Sequence, residues 1–234
     1  MTTTAAARSF RGPRIAARAL GNVLIGVAIG LLLYYGITDV ESGVNQKAMS
    51  EELEKLGPIA TERPAVSSQT SVLDFTGWAE QDAAFWRSAP MGSVIGRLVI
   101  GRMKLDTPVV KGADRESLKR GPGWIATTSV PGPKGNCAIS GHRTTYLAPF
   151  RHLDQLREGD TIDLYTPYRR YRYQVSRSFT VRPWQVEVIA PTPEPILTLT
   201  ACHPPYSARF RLIVQSRLIE ARPLKGAPPV ETSD

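Results

Sequence analysis

The sequence predicts a mostly β domain, either a closed barrel or a sandwich, behind a membrane-spanning helix. Three observations predict it. From about residue 94 onward, short alternating apolar runs recur between turn signals, the pattern of a many-stranded β domain. Glycine and proline, 19 of each, punctuate the chain more often than in an average globular protein. Residues 19–37, ALGNVLIGVAIGLLLYYGI, carry no charge at all.

Residues 1–18 form a basic tail with Arg8, Arg11, Arg14 and Arg18 and no acid. As a helix, residues 19–37 reach about 28 Å, enough to cross a hydrocarbon core of about 30 Å. Tyr34 and Tyr35 fall where an interfacial aromatic belt belongs. A cleaved signal peptide has a shorter apolar region ending in small residues, whereas this run ends in Leu-Leu-Leu-Tyr-Tyr, so an uncleaved anchor is expected. Four arginines before the span, with Asp39 and Glu41 after it, put the N-terminus in the cytoplasm. The expectation is therefore a single-pass cell-membrane protein whose domain lies outside. Residues 38–75 begin with a helix-prone piece (NQKAMSEELEKLG) and turn polar. With few large apolar residues they predict a tether without a core. A short helix in TGWAEQDAAFWRS is expected to lay Trp78, Phe85 and Trp86 on the domain.

Eight strands are predicted, at 94–100, 107–110, 136–140, 161–166, 171–181, 185–189, 196–201 and 210–219. The turn clusters GPG, PGPKG, EGD and PTPEP separate several of them. The folded domain is set at 76–222 and a frayed tail at 223–234. A chain of 234 residues allows one such domain with its appendages.

With 29 basic and 21 acidic side chains the net charge is +8. A basic domain can meet nucleic acid, anionic lipid or an acidic cell wall. No stacking-aromatic motif, zinc finger or recognition helix is visible, so nucleic acid is not expected as a partner. Two cysteines and three histidines, without ligand spacing, predict no metal and no cofactor. The absence of clustered acids predicts independence from calcium.

Cys202 ends the apolar run ILTLTA, His142 follows CAIS in SGHR, and Arg211 opens FRLIV. A thiol becomes a nucleophile near neutral pH when a base or cation attends it, and His and Arg both serve. Singly, each residue has a plainer reading: a buried cysteine, a solvated arginine.

Together the strings GNCAISGHRTTYLAPFRHLDQLREGD and ILTLTACHPPYSARFRLIV resemble the sortases, cysteine transpeptidases of Gram-positive cell surfaces. The resemblance covers about residues 92–220, and the CHP after the cysteine looks most like class E sortases of actinobacteria. It implies a closed barrel of seven to eight strands with short helices. It also implies Cys202 as nucleophile, His142 as general acid and base, and Arg211 as the donor to the developing oxyanion. The implied reaction cuts the Thr-Gly bond of an LPxTG- or LAxTG-type sorting signal through a thioester. The implied partners are surface proteins bearing such signals, an amine acceptor from cell-wall peptide or pilin, and membrane lipid around the anchor.

Arg143, Tyr146, Thr200 and Ala201 are expected to line the substrate groove. The sequence departs from the family's pattern at Ala201, where many members carry Thr, and at Cys137, read as core packing. Arg211 is preferred to Arg209 because it opens FRLIV, while His203 is read as a turn residue and His152 as surface. A Cys137–Cys202 disulfide would silence the nucleophile. Two rival readings stand beside the transpeptidase. One is a non-catalytic, membrane-tethered β module, and the other a cysteine hydrolase without acceptor specificity.

Overall fold

The computed structural model describes residues 11–60 and 72–227. Arg8, most of the expected polar stretch (61–71) and the end of the expected tail (228–234) lie outside the described residues. Eight strands form the domain: β1 (Val94–Ile100), β2 (Leu105–Lys111), β3 (Gly123–Trp124), β4 (Asn136–Ser140), β5 (Thr161–Tyr165), β6 (Arg169–Val181), β7 (Ile196–His203) and β8 (Phe210–Pro223). They close as a barrel in the order β1-β2-β3-β4-β7-β8-β6-β5, with β5 returning to β1. Closure resolves the barrel-or-sandwich alternative. Most pairings are antiparallel, but β2 runs parallel to β3 and β4 parallel to β7. The β4–β7 pairing brings two segments about 60 residues apart to the same barrel end.

Alternation along each strand builds the core. Leu197, Leu199 and Ala201 of β7 meet Cys137 and Ile139 of β4 and Leu212 and Val214 of β8 inside the barrel. β1 is buried along its whole length because both of its faces are covered, Arg97 within it pairing with Asp106. A register shift between Val94 and Gly96 turns Ile95 inward with Leu98 and Ile100. Val94 and Val99 instead join a second cluster on the outside.

The outer cover is the N-terminal helix, and here the tether expectation is corrected. α1 (Arg11–Lys55) is one unbroken helix of 45 residues, about 68 Å long. It is also long and apolar enough to cross a membrane, with a mean hydropathy of 2.0 over its most apolar stretch. Past the apolar stretch, Met49 and Leu53, one helical turn apart, are buried with Ile59 against Val94, Val99 and Val110. Glu52 accepts from the Val94 amide at 3.2 Å and from Arg120 Nη2 at 2.6 Å. Three apolar residues look too few for a core in the sequence; they suffice because the barrel wall supplies the rest.

Three further differences have local causes. Residues 185–189 form a 3₁₀ turn (Val186–Ile189) rather than a strand. In a closed barrel β6 and β7 have no free edge left for another strand, so the segment lies across the outer wall. Asn136 Nδ2 and Gln215 Nε2 both donate to the Val188 carbonyl, at 3.1 and 3.0 Å. The chain end is ordered further than expected, since β8 runs on to Pro223 opposite Arg169 and Leu224 is buried. Residues 72–74 pair with this extension at Ala221. Helix α3 (Arg115–Arg120), which the strand pattern passes over, is capped by the Asp114 side chain accepting from the Glu116 and Ser117 amides.

The expected helix at residues 76–88 is a π turn (Ala79–Ala83) running into α2 (Ala84–Ser88). Trp86 is fully buried beside the half-buried Trp78 and Phe85. Arg169 clamps this segment with bonds to Asp82, Gln81 and the Thr76 carbonyl.

Candidate active site

Inward Leu197, Leu199 and Ala201 leave Thr198, Thr200 and Cys202 on the outer face of β7. Across the antiparallel ladder Cys202 stands opposite Arg211, so both side chains leave the sheet on the same side. On the other flank Ser140 pairs with Thr200 in parallel, and the Gly141 amide donates to the Thr200 carbonyl at 3.1 Å. His142 and Cys202 each lie two residues beyond that pair. β7 and β8 thus set Cys202 and Arg211 directly across from each other, neighbouring strands being about 4.8 Å apart, while His142 follows the end of β4 on the other flank of β7.

His142 is held by the turn that follows it. Gly141 is required by close approach: a Cβ there would stand 2.6 Å from the Phe150 ring. The Phe150 amide donates to the His142 carbonyl at 2.9 Å. Tyr146, Leu147 and Ala148 all have positive φ, at 51°, 58° and 44°. Each costs roughly 1 kcal/mol or more in a residue with a Cβ, so packing must hold the turn. Burial of Ala148 and Phe150 supplies it. The Tyr146 ring lies over the imidazole, with centroids 5.1 Å apart and planes tilted by 38°. His142 Nε2 is buried without a partner among the described residues, and burial pulls the imidazole below its ordinary value of 6.5.

The sign of that shift carries two consequences. The unfolded chain binds the extra proton first, so the stability His142 contributes is full above 6.5 and is lost as pH falls through the lowered value. Tyr146→Ala uncovers the ring and is expected to raise the His142 titration point toward 6.5, read by NMR of the imidazole protons. An unmoved titration point would mean that Tyr146 does not supply the burial.

Both cysteines are free. Cys137 faces the core opposite Leu197, five residues before Cys202 on β7 and about 16 Å away along the strand. It also leaves the sheet on the opposite face, so a disulfide is geometrically excluded. Burial pushes the Cys137 thiol far above its ordinary value and keeps it protonated. Cys137→Ala is expected to cost about 1–2 kcal/mol of stability, by thermal or urea unfolding, while leaving turnover within about twofold. A collapse of turnover at unchanged stability would contradict the packing role.

Arg211 is half-buried and anchored by one nitrogen, its Nη1 donating to the Ala208 and Phe210 carbonyls at 3.1 and 3.2 Å. Its Nε and Nη2 have no partner among the described residues. A cleft of about 230 Å³ is lined by Ile125, Ser140, Val181, Thr200, Arg211 and Ile213, and it takes in Arg211 but neither Cys202 nor His142. A larger hollow of about 730 Å³ between α1 and α3, lined by Glu41, Asn45 and Lys119, is set apart from all three groups. Among the described residues no cluster of three or more His, Cys, Asp or Glu gathers as metal ligands would.

Of the four residues expected to line the groove, Thr200 lines the cleft and Tyr146 covers His142. The other two are corrected. Ala201 is on the inner face and packed in the core, so no substrate reaches its methyl group. Arg143 is 3% exposed, and its guanidinium is taken up inside the protein. It bonds Asp154 at 2.7 Å, the Arg151 carbonyl at 3.3 Å and His203 Nδ1 at 2.8 Å. A guanidinium only donates, so His203 presents an unprotonated Nδ1. Arg143 therefore ties the His142 turn to the residue after Cys202. Asp154 completes this tie and carries no sequence signal, because only the fold brings it there. His203 leaves β7 on the face opposite Cys202, and His152 is exposed at the surface.

The class is an eight-stranded closed barrel carrying a free, half-buried cysteine at the end of β7. The chain belongs to the sortase family, matching the sortase domain over residues 98–219. It is 31% identical to sortase SrtE1 of Streptomyces coelicolor over 58% of this chain and 44% of that protein, so the match spans less than half of that relative. Sortase SrtE2 of the same organism is 29% identical, over 96% of this chain and 92% of that one. Among solved structures, sortase E of Streptomyces avermitilis superposes with a TM-score of 0.53 at 33% identity, covering 60% of this chain and 97% of that chain.

Proposed function

We propose that the protein is a membrane-anchored sortase that cuts an LPxTG- or LAxTG-type sorting signal between Thr and Gly and transfers the Thr carbonyl to an amine. One observation supports this: Cys202 stands opposite Arg211 across β7 and β8, His142 follows β4 on the other flank of β7, and Thr200 and Arg211 line a cleft. The Cys202 thiolate attacks the Thr carbonyl carbon, and the negative charge passes to the carbonyl oxygen. The free N–H groups of Arg211 face that charge with a fixed planar fork. As the C–N bond breaks, His142 gives its proton to the departing Gly amine. Burial that lowers the His142 pKa makes its protonated form a stronger acid, which suits that step. An incoming amine then attacks the thioester, the C–S bond breaks, and His142 takes up the amine's proton.

The anchor belongs to the same proposal. The apolar part of α1 crosses the membrane with its basic end in the cytoplasm, and the helix continues to Lys55 and docks on the barrel. This holds the cleft at a set height instead of on a loose tether. The test incubates the full chain in detergent with LAxTG and LPxTG peptides and follows intact mass. A thioester adduct with at least one peptide, discharged by an added amine, is the expected result. No adduct and no cleavage with either would favour a non-catalytic module, and cleavage without amine transfer a hydrolase.

A further inference from the structure

The part of α1 beyond its apolar run decides which side of the domain lies lowest. At 1.5 Å per residue, Glu41 stands about 6 Å past Ile37, the last residue of the uncharged run, and Asn45 about 12 Å. Any tilt of the helix brings both closer to the bilayer. The headgroup layer is itself about 5–7 Å deep. Glu41 and Asn45 face Met91, Gly92 and α3 across the hollow of about 730 Å³. From there the contacts climb. Gln46 Nε2 donates to the Arg120 carbonyl, and Glu52, about 22 Å past Ile37, accepts from the Val94 amide. β1 therefore starts above α3, and Met91 and α3 are the lowest parts of the barrel along the helix.

The cleft shares this low side. Ala113, next to the Asp114 cap of α3, lines it together with Ser140 and Arg211. Lys119 of α3 interacts electrostatically with Glu41 on the long helix and with Tyr146 on the turn that carries His142. Leu147 follows Tyr146 on that turn and is 48% exposed, while Met91 is 60% exposed. An apolar side chain held out into water from a backbone at φ 58° gains nothing from the protein, whereas a membrane interface buries it. In α3 and its cap, Arg115, Lys119 and Arg120 stand beside Asp114 and Glu116. A face carrying both signs complements headgroups that carry both signs.

We infer that α3, Met91 and the Leu147 tip of the His142 turn form a lipid-facing surface that rests on the headgroup layer, so that the cleft opens at the bilayer surface. This rests on the membrane-anchored reading above. It goes beyond that reading because a span alone fixes where the chain enters the membrane and leaves open which face of the barrel looks down.

The test places the full chain in nanodiscs of phosphatidylcholine with a nitroxide on a fraction of the headgroups, and reads the quenching of a bimane on one introduced cysteine. A Cys202→Ala background leaves only Cys137, buried and protonated, so the label goes where it is put. Leu147→Cys and Arg115→Cys report the proposed face, and Tyr34→Cys reports the anchor. Glu158→Cys reports the far end of β1, where Asp160 pairs with Arg102. Quenching at positions 115 and 147 is expected to exceed that at 158 by about threefold or more, since β1 alone spans about 20 Å between the two ends. Equal quenching at 115, 147 and 158 with position 34 still quenched overturns the inference and leaves the anchor intact. An unquenched label at position 34 overturns the anchored reading and this inference with it.

Discussion

Cys202→Ala is expected to abolish both acyl-enzyme formation and turnover, a loss of about 10⁴-fold or more. No neighbouring group can replace the sulfur. Cys137 is the only other thiol in the sequence, and it lies buried on the far side of the sheet, held protonated by its surroundings. The structural cost should be small, about 1 kcal/mol, because Cys202 is half-buried at a strand end and alanine leaves no closed cavity. Intact mass after incubation with a sorting peptide, beside a thermal unfolding curve, separates lost chemistry from lost fold. A peptide adduct on a folded Cys202→Ala protein would move the nucleophile elsewhere and end the assignment.

Arg211→Lys is expected to lower kcat by about 10²–10³-fold, equivalent to roughly 3–4 kcal/mol of barrier, with KM far less affected. Charge alone predicts almost no effect, since lysine keeps it. Geometry decides. Arg211 spends Nη1 on the Ala208 and Phe210 carbonyls and still has Nε and Nη2 to offer. A lysine has one nitrogen for both tasks: satisfying the carbonyls takes it from the oxyanion, and reaching the oxyanion abandons the turn. Because the oxyanion exists only as the bond forms, the loss belongs in kcat. Near-parental kcat in Arg211→Lys would mean that a point charge suffices and that the donor role is wrong. A rise in KM alone would assign Arg211 to ground-state binding.

Much of the barrel was legible because alternation and turn residues are local. VIGRLVI, NCAIS and ILTLTA became β1, β4 and the body of β7 with almost no change at their ends. QVEVI alternates as well, yet it became a 3₁₀ turn, because a strand needs a free edge and closure removes it. The tether was misread for a related reason. Met49, Leu53 and Ile59 are sparse in sequence, and only the outer wall of β1 and β2 makes them a core. Arg143 is expected in the groove because it adjoins His142, and Ala201 because the resemblance puts a substrate-orienting residue before the cysteine. Nearness does not fix direction: one residue along a strand reverses the face, and a tight turn after His142 carries Arg143 inward.

The sequence by itself determined which chemistry was present. It held a cysteine at a strand end, a histidine and an arginine in a set order, an apolar helix long enough for a bilayer, and a turn-rich β domain. Those are properties of short segments, and short segments carry their own periodicity, charge and reactivity. Only the tertiary structure decided what stands beside what. The parallel pairing of β4 with β7 brings the turn that carries His142 to the flank of β7 that ends in Cys202. The inward face takes Cys137 and Ala201 away from the site, and the docking of α1 turns a linker into a stalk. Each depends on contacts between residues far apart along the chain, which no local pattern records.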